Sequence, residues 1–543
     1  MVRQPISRRH LMATFAGFGA AAALNPFPKI ISAAAQESTP GPEPAESQVL
    51  RWLSTQITRL SIPGYGPEPM NRILPALYMT PFTQDLDGNF HPGICADYSV
   101  SDDRLTYTFH MNPDAKWSDG TPVTSGDIKF TWEWMANTAV SGNPFNGYQT
   151  QMVEGNAEVL AGTATEMSGL ATPDDATLQI TLTAPFAPFI YYCSDSLLGA
   201  HQRANIENGG ENWDTKPTVA SGPFMVEQFD QNTGAFSMVQ NPYWWGTKPT
   251  IQRVEFTPVT DAGTALLSWT NDECEVWSNG GTVQFYKQFG GSELIAYPGG
   301  FFVGITFNTQ QAPLDDIHVR RAIQRAIDVE TAVKAIYGDF AAPATGIASP
   351  NDPSYVERTF LFDVDAAKAE LAQSAYANGS IPSIQAVVTN ANDWVNLTTV
   401  FQQMLKDALG IDLQVIPADQ ATTGQEDAAG IRIIQDGVLY LGPGSVVSWA
   451  YHKNNSIMQT WIRVADDDVE AFLNQGDAAS VDDVQTRAEA YRQAEQLMLD
   501  RAYVLPLDWG PVGAVIPVKK RVVNASNDPS QTFDFINTYI AKE

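Results

Sequence analysis

Six histidines, His10, His91, His110, His201, His318 and His452, are the residues best suited to proton transfer and metal ligation near neutral pH. No two stand four residues apart, so no helix face offers the paired imidazoles of a zinc hydrolase. Cys95, Cys193 and Cys274 are too widely spaced for a C-x-x-C site and allow at most one disulfide with a thiol left over. The chain contains no G-x-S-x-G, S-x-x-K or G-K-[ST] motif. Asp466 and Asp468 are a close carboxylate pair, but two acids at that spacing read as the acidic start of a helix. The pattern therefore predicts no catalytic residue, no metal and no cofactor. A secreted hydrolase of oligosaccharides stays open as the alternative, because two carboxylates far apart in sequence can still face one cleft.

Non-covalent recognition is the chemistry that remains, and one site follows from strand order. In residues 383–417, "IQAVVT" reads as a buried strand and "IDLQVI" as a half-buried one. Between them Leu397, Phe401, Leu405 and Ala408 form a helical stripe, with Gly410 suited to the helix C-cap. This is a βαβ unit, which requires a locally parallel sheet. Ligands of open α/β sheets lie beyond the carboxyl ends of the strands. Here that end is "NANDW" (390–394), so Asn392 and Trp394 are ligand candidates. The alternative is structural: Asp393 caps the helix and Trp394 covers the core.

Other elements are equally regular. In "DDIHVRRAIQRAID" (315–328), Val319, Ala322, Ile323, Ala326 and Ile327 fall on one helical face. Arg320, Arg321 and Arg325 are expected outside it. In "KWSDGTPVTSGDIKFTWEW" (116–134), Asp-Gly supplies a turn and Thr124 with Asp127 forms a capping box. Ile128, Trp132 and Met135 then share one face, so this segment reads as architecture.

The N-terminus reads as an address. Arg8 and Arg9 precede an uncharged run from Leu11 to Leu24, and "AAAQ" (33–36) offers a small-residue cleavage site. Residues 1–35 resemble a twin-arginine export signal. The run is shorter than the roughly 20 residues that span a bilayer. Residues 36–48, rich in Pro, Glu and Ser, are expected to be a flexible linker. The length of 543 residues suits about three structural units. A net charge of −29 argues against nucleic acid as a partner.

Four blocks in order carry a resemblance: 96–134, "SGPFMVEQFDQNTGAFSMVQNPYWWGTKPTIQRVEF" (221–256), "FFVGITFNTQQAPLDDIHVRRAIQRAID" (301–328, continuing to 346) and "RAEAYRQAEQLMLDRAYVLPLDWG" (487–510). Together they resemble family 5 extracellular solute-binding proteins, the receptors of peptide, oligosaccharide and nickel ABC importers. The resemblance implies an α/β, two-lobed periplasmic-binding-protein-like fold with hinge-connected lobes and an extra subdomain on lobe one. Lobe one would be 49–300 and 510–543, its subdomain about 82–215, and lobe two 301–509. It further implies a monomer that captures an oligomeric solute between the lobes and hands it to ABC transporter permease subunits in the membrane.

Peptide-binding members of the family carry an acidic motif in lobe two whose Asp takes a free amine. The matching stretch here is "GVLYLGPGS" (437–445), with Tyr440 but no Asp; Asp436 precedes it. Trp449 and Tyr451 follow. The family map also brings Trp509 and Asp508 at the hinge return, and Trp52 and Tyr65 in lobe one, toward the cleft. Missing acid and present aromatics favour an oligosaccharide over a free-amine peptide, with the oligopeptide-specific receptor as alternative.

Overall fold

The structure is a computed structural model. It describes residues 42–61, 70–85, 88–137, 147–215, 218–278, 285, 288–295, 300–338, 341–378, 381–389, 393–418, 430–510, 516–526 and 532–542. Arg8, Arg9, Tyr65 and Asn392 lie outside the described residues.

Three larger sheets organise the chain. The first runs in the order Ser292–Ile295, Ile516–Lys519, Val276–Trp277, Val49–Ser54, Arg253–Pro258, Ala235–Gln240, Phe224–Asp230. Its central strand, Val49–Ser54, is parallel to both neighbours. Inward-facing Leu50 and Trp52 pack there with Phe224, Phe236 and Phe256. Trp52 is thus a core residue and not a cleft residue. It is fully buried, its ring meets Phe533 edge-on at 5.0 Å, and its indole N–H donates to Ser278 Oγ at 2.9 Å. A large ring inside a parallel strand is covered from both sides, which a sequence pattern of alternation does not reveal.

The expected flexible linker is ordered at its end. Pro44 bridges Ala541, Ala45 N–H donates to Ile540 O at 2.8 Å, and buried Gln48 donates to the same carbonyl. Residues 42–48 are therefore tied to the C-terminus, because the sheet edge leaves backbone groups that need partners.

The second sheet has four antiparallel strands, Cys95–Val100, Thr106–Met111, Thr177–Thr181 and Leu170–Asp174. The helix Ser125–Ala136 packs against it through Ile128 and Trp132. The Asp127 carboxylate accepts from Thr124 N–H and Oγ1, both at 2.9 Å, closing the expected capping box.

The third sheet has the order Ala342–Pro343, Val504–Gly510, Phe301–Phe307, Ile431–Gly437, Ile384–Thr389, Leu413–Ala418. Ile384–Thr389 and Leu413–Ala418 are parallel and joined by the helix Trp394–Leu409, so the βαβ unit is present. Gly410 closes that helix with a φ of 69°, a conformation that costs a residue without a side chain little.

The helix Ile317–Ala326 buries Val319, Ala322, Ile323 and Ala326. Arg320 departs from expectation and is buried too. Its guanidinium donates to the carbonyls of Leu314 at 2.7 Å, Arg501 at 2.8 Å and Ala502 at 3.0 Å. The last two carbonyls follow the helix Val484–Asp500, whose end lacks intrahelical donors; a planar five-donor group supplies them.

Candidate functional site

Register places the site. In the third sheet Phe301 pairs with Gly437 and Gly510, Phe302 with Asp436 and Trp509, and Val303 with Gln435 and Asp508. The strand Phe301–Phe307 therefore begins where Ile431–Gly437 and Val504–Gly510 end. Their side chains alternate across the sheet. Asp436, Phe302 and Trp509 form one row on one face; Gln435, Val303 and Asp508 form the next row on the other. The chain enters this sheet at residue 301 and leaves it at 510 for the first sheet, so this edge lies at the crossing between the two.

Beyond this edge, residues 438–451 run against the four-stranded unit. Gln84 and Leu441 exchange two hydrogen bonds: Gln84 Nε2–H donates to Leu441 O at 2.9 Å, and Leu441 N–H donates to Gln84 Oε1 at 3.0 Å. Tyr440 is buried between Tyr191, at 4.9 Å between ring centroids, and Tyr192, at 5.7 Å. The Arg487 guanidinium lies 4.9 Å from the centre of the Tyr191 ring. Tyr148 Oη donates to Trp449 O at 2.9 Å, and Ala187 N–H donates to Asp477 O at 2.7 Å. These contacts form an aromatic and polar seam between the third sheet's unit and the second. Gln84, Tyr148, Tyr191 and Arg487 were not singled out in the sequence. Their partners stand hundreds of positions away, and no local spacing marks them.

The aromatic ligand candidates divide on burial. Trp394 opens its helix but packs with Leu397, Phe401 and Val388, only 7% exposed. This is the structural alternative for that residue, whose indole N–H nonetheless has no acceptor among the described residues. Asp393 precedes it with a φ of 62°; its carboxylate accepts from the Asn396 side chain at 3.1 Å instead of capping the backbone. Tyr451 is fully buried, its hydroxyl 3.5 Å from Asp436. Trp509 packs its ring on Phe302 at 5.3 Å. Trp394, Tyr440, Tyr451 and Trp509 therefore present no open aromatic face to a sugar ring. Their apolar surface gains more from neighbours in the core than from water. Trp449 alone is only partly buried, with its ring edge-on to Tyr148 at 5.9 Å.

Two carboxyls are sealed at this edge. Burial pushes Asp436 up to about 7, opposed by the Tyr451 hydroxyl. Burial alone pushes Asp508 up to about 8, and neither of its oxygens has a hydrogen-bond partner among the described residues. Asp466 lies elsewhere, at the start of the helix Asp467–Ala478, where its carboxylate accepts from Asp468 N–H and Val469 N–H at 3.1 and 3.2 Å. The Asp466–Asp468 pair is thus a helix start bound to Arg501.

Comparison with known proteins agrees with this architecture. Residues 89–457 match the model of bacterial extracellular solute-binding proteins, family 5. The dipeptide-binding protein of Escherichia coli (strain K12) is 25% identical over 473 residues, covering 83% of this chain and 86% of that protein. The periplasmic murein peptide-binding protein MppA of the same organism is 24% identical over 464 residues, covering 81% and 83%. Among solved structures, Haemophilus influenzae OppA in complex with the peptide RPPGFSPFR superposes with a TM-score of 0.71 at 18% identity, over 92% of this chain and all of that one. The shared fold is the two-lobed periplasmic-binding-protein architecture.

Proposed function

Because the chain belongs to the bacterial extracellular solute-binding proteins of family 5, we propose that it captures oligopeptides between its lobes and delivers them to a membrane permease. Lobe one takes residues 49–300 and 510–543, with the subdomain at 82–215, and lobe two takes 301–509. The observation that carries the reading is the seam itself. Residues 438–451 leave the end of the lobe-two sheet and meet the subdomain of lobe one, so a solute held at that edge touches both lobes. Contacts available only when the lobes meet shift the population toward the closed form. ATP hydrolysis on the partner then drives import.

Peptide displaces oligosaccharide as the preferred ligand for two reasons. The relatives reported above are named for dipeptides and murein peptides. The rings that favoured sugar are core rings, with Trp449 the partly open exception. The family motif's amine-binding Asp is still absent from 437–445, so the peptide's amine is not held there. Neither family nor relatives support the hydrolase alternative. Calorimetric titration with tri- to pentapeptides, their N-acetylated forms and di- to pentasaccharides tests this. Saturable peptide binding with sugars silent is the expected result; tight sugar binding with peptides silent would reverse the assignment.

In this reading the protein works outside the cytoplasm as a monomer, exported through a signal at 1–35. The paired Arg8 and Arg9 before a short apolar run motivate the twin-arginine route. Replacing both by Lys is expected to leave the precursor inside the cell, read by fractionation and blotting. Undiminished export of the double variant would exclude that route.

A further inference from the structure

Lobe two contains a cavity of about 570 Å³ that shares no lining residue with the seam. That volume is in the range of small-molecule sites. Three elements enclose it: the helix Ile317–Ala326, the helix Val484–Asp500, and the extended segment through residues 356–362. Leu505 and Pro506, at the start of the hinge-return strand, also line it.

Its chemistry is two-sided. Arg321 and Arg325 stand four apart on one helix, hence on one face, and both line the cavity. Among the described residues Arg321 has no carboxylate partner: its hydrogen bond goes to the backbone carbonyl of Asp500, at 2.7 Å. Arg325 reaches Glu370 only at 3.8 Å, and that carboxylate is already held by His318 at 2.9 Å. Arg358 also lines the cavity but is engaged by Glu495 at 3.2 and 3.3 Å. Two guanidiniums thus keep donors for an incoming acceptor, beside the lining acids Glu370 and Asp500. The apolar side is independent evidence. Six large hydrophobic side chains are exposed among the described residues; the consecutive pair among them is Leu361 and Phe362, 43% and 45% exposed, and both line this cavity. Adjacent apolar side chains left in water beside a concave surface are a feature of binding sites.

We propose that this cavity is a second ligand site, separate from the interlobe cleft, for a small amphipathic anion. Its ligand carries a carboxylate read by Arg321 and Arg325 and an alkyl or aryl body covered by Leu361 and Phe362. Guanidinium pairs suit this because each can meet a carboxylate with two parallel hydrogen bonds.

Calorimetry with 4-phenylbutyrate tests the site, using 4-phenylbutanol as the uncharged control. The acid is expected to bind at least tenfold more tightly than the alcohol. The double variant Arg321→Gln/Arg325→Gln should lose that tenfold preference, and Phe362→Ser, at a position 45% exposed, should weaken the acid severalfold. Trp449→Ala, in the seam, should leave acid binding unchanged. Equal affinity for acid and alcohol, loss of binding in the Trp449 variant, no effect in both cavity variants, or no binding of the acid at all would each overturn the proposal.

Discussion

Asp508→Asn is expected to stabilise the protein at pH 8 and to change it little at pH 4. Asp508 is fully buried on the hinge-return strand, opposite Val303 and Pro343, and both carboxyl oxygens lack a partner among the described residues. The Tyr337 hydroxyl, at the end of the helix Val329–Tyr337, senses Asp508 and Asp393. Burial raises Asp508 from its ordinary value of 3.8 to about 8. The folded state therefore keeps a proton that the unfolded chain releases above pH 4. Stability is full below that value and declines as pH rises toward 8. About four units at roughly 1.4 kcal/mol each give a loss on the order of 5 kcal/mol by pH 8. Asn has nearly the same shape and never ionises. Its melting temperature at pH 8 should exceed that of the parent by on the order of 10 °C, since about 1 kcal/mol moves a lobe of this size by a few degrees. Scanning calorimetry at the two pH values decides it. An equal difference at both, or a less stable variant at pH 8, would show that burial does not hold the proton on Asp508.

Tyr440→Ala should open the lobes. The Tyr440 ring meets Tyr191 at a tilt of 35° and Tyr192 edge-on across the seam. Aromatic pairs contribute about 0.5–1.5 kcal/mol each beyond area burial. Losing two of them shifts an open–closed equilibrium by about tenfold. The radius of gyration from small-angle scattering should increase, and peptide affinity should fall by a similar factor. Truncating Tyr440 also leaves a cavity in the core of the four-stranded unit, into which its ring packs, so Gln84→Ala is the companion variant. It removes the reciprocal pair with Leu441 and leaves that apolar core intact. It should open the protein in the same direction by less. Unchanged scattering in both variants would mean that the seam does not hold the lobes together.

Local rules carried the elements well and the site poorly. The helix Trp394–Leu409, its Gly410 cap and the Thr124–Asp127 box depend on residues within a turn or two, so spacing reveals them. Arg320 looked exposed because helical spacing says which face a residue is on, not what backbone lies opposite; unpaired carbonyls at 501 and 502 draw it inward. Residues 42–48 looked like a linker from composition, yet their partners are the last strand residues, nearly 500 positions on. Trp52, Trp394, Tyr451 and Trp509 illustrate the main difficulty. A large ring suits a cleft and a core equally, and only tertiary contacts choose between them. The family map brought Asp508 toward the cleft, whereas it is fully buried and burial favours its protonated form.

The central claim is that this chain holds an oligopeptide and does no chemistry on it. Native mass spectrometry after incubation with a mixed tri- to pentapeptide pool tests it most directly. The expected spectrum shows one-to-one adducts of intact peptides that are released, unaltered in mass, when the protein is unfolded. A spectrum with no peptide adducts, or a pool in which the peptides have been cleaved, would contradict it.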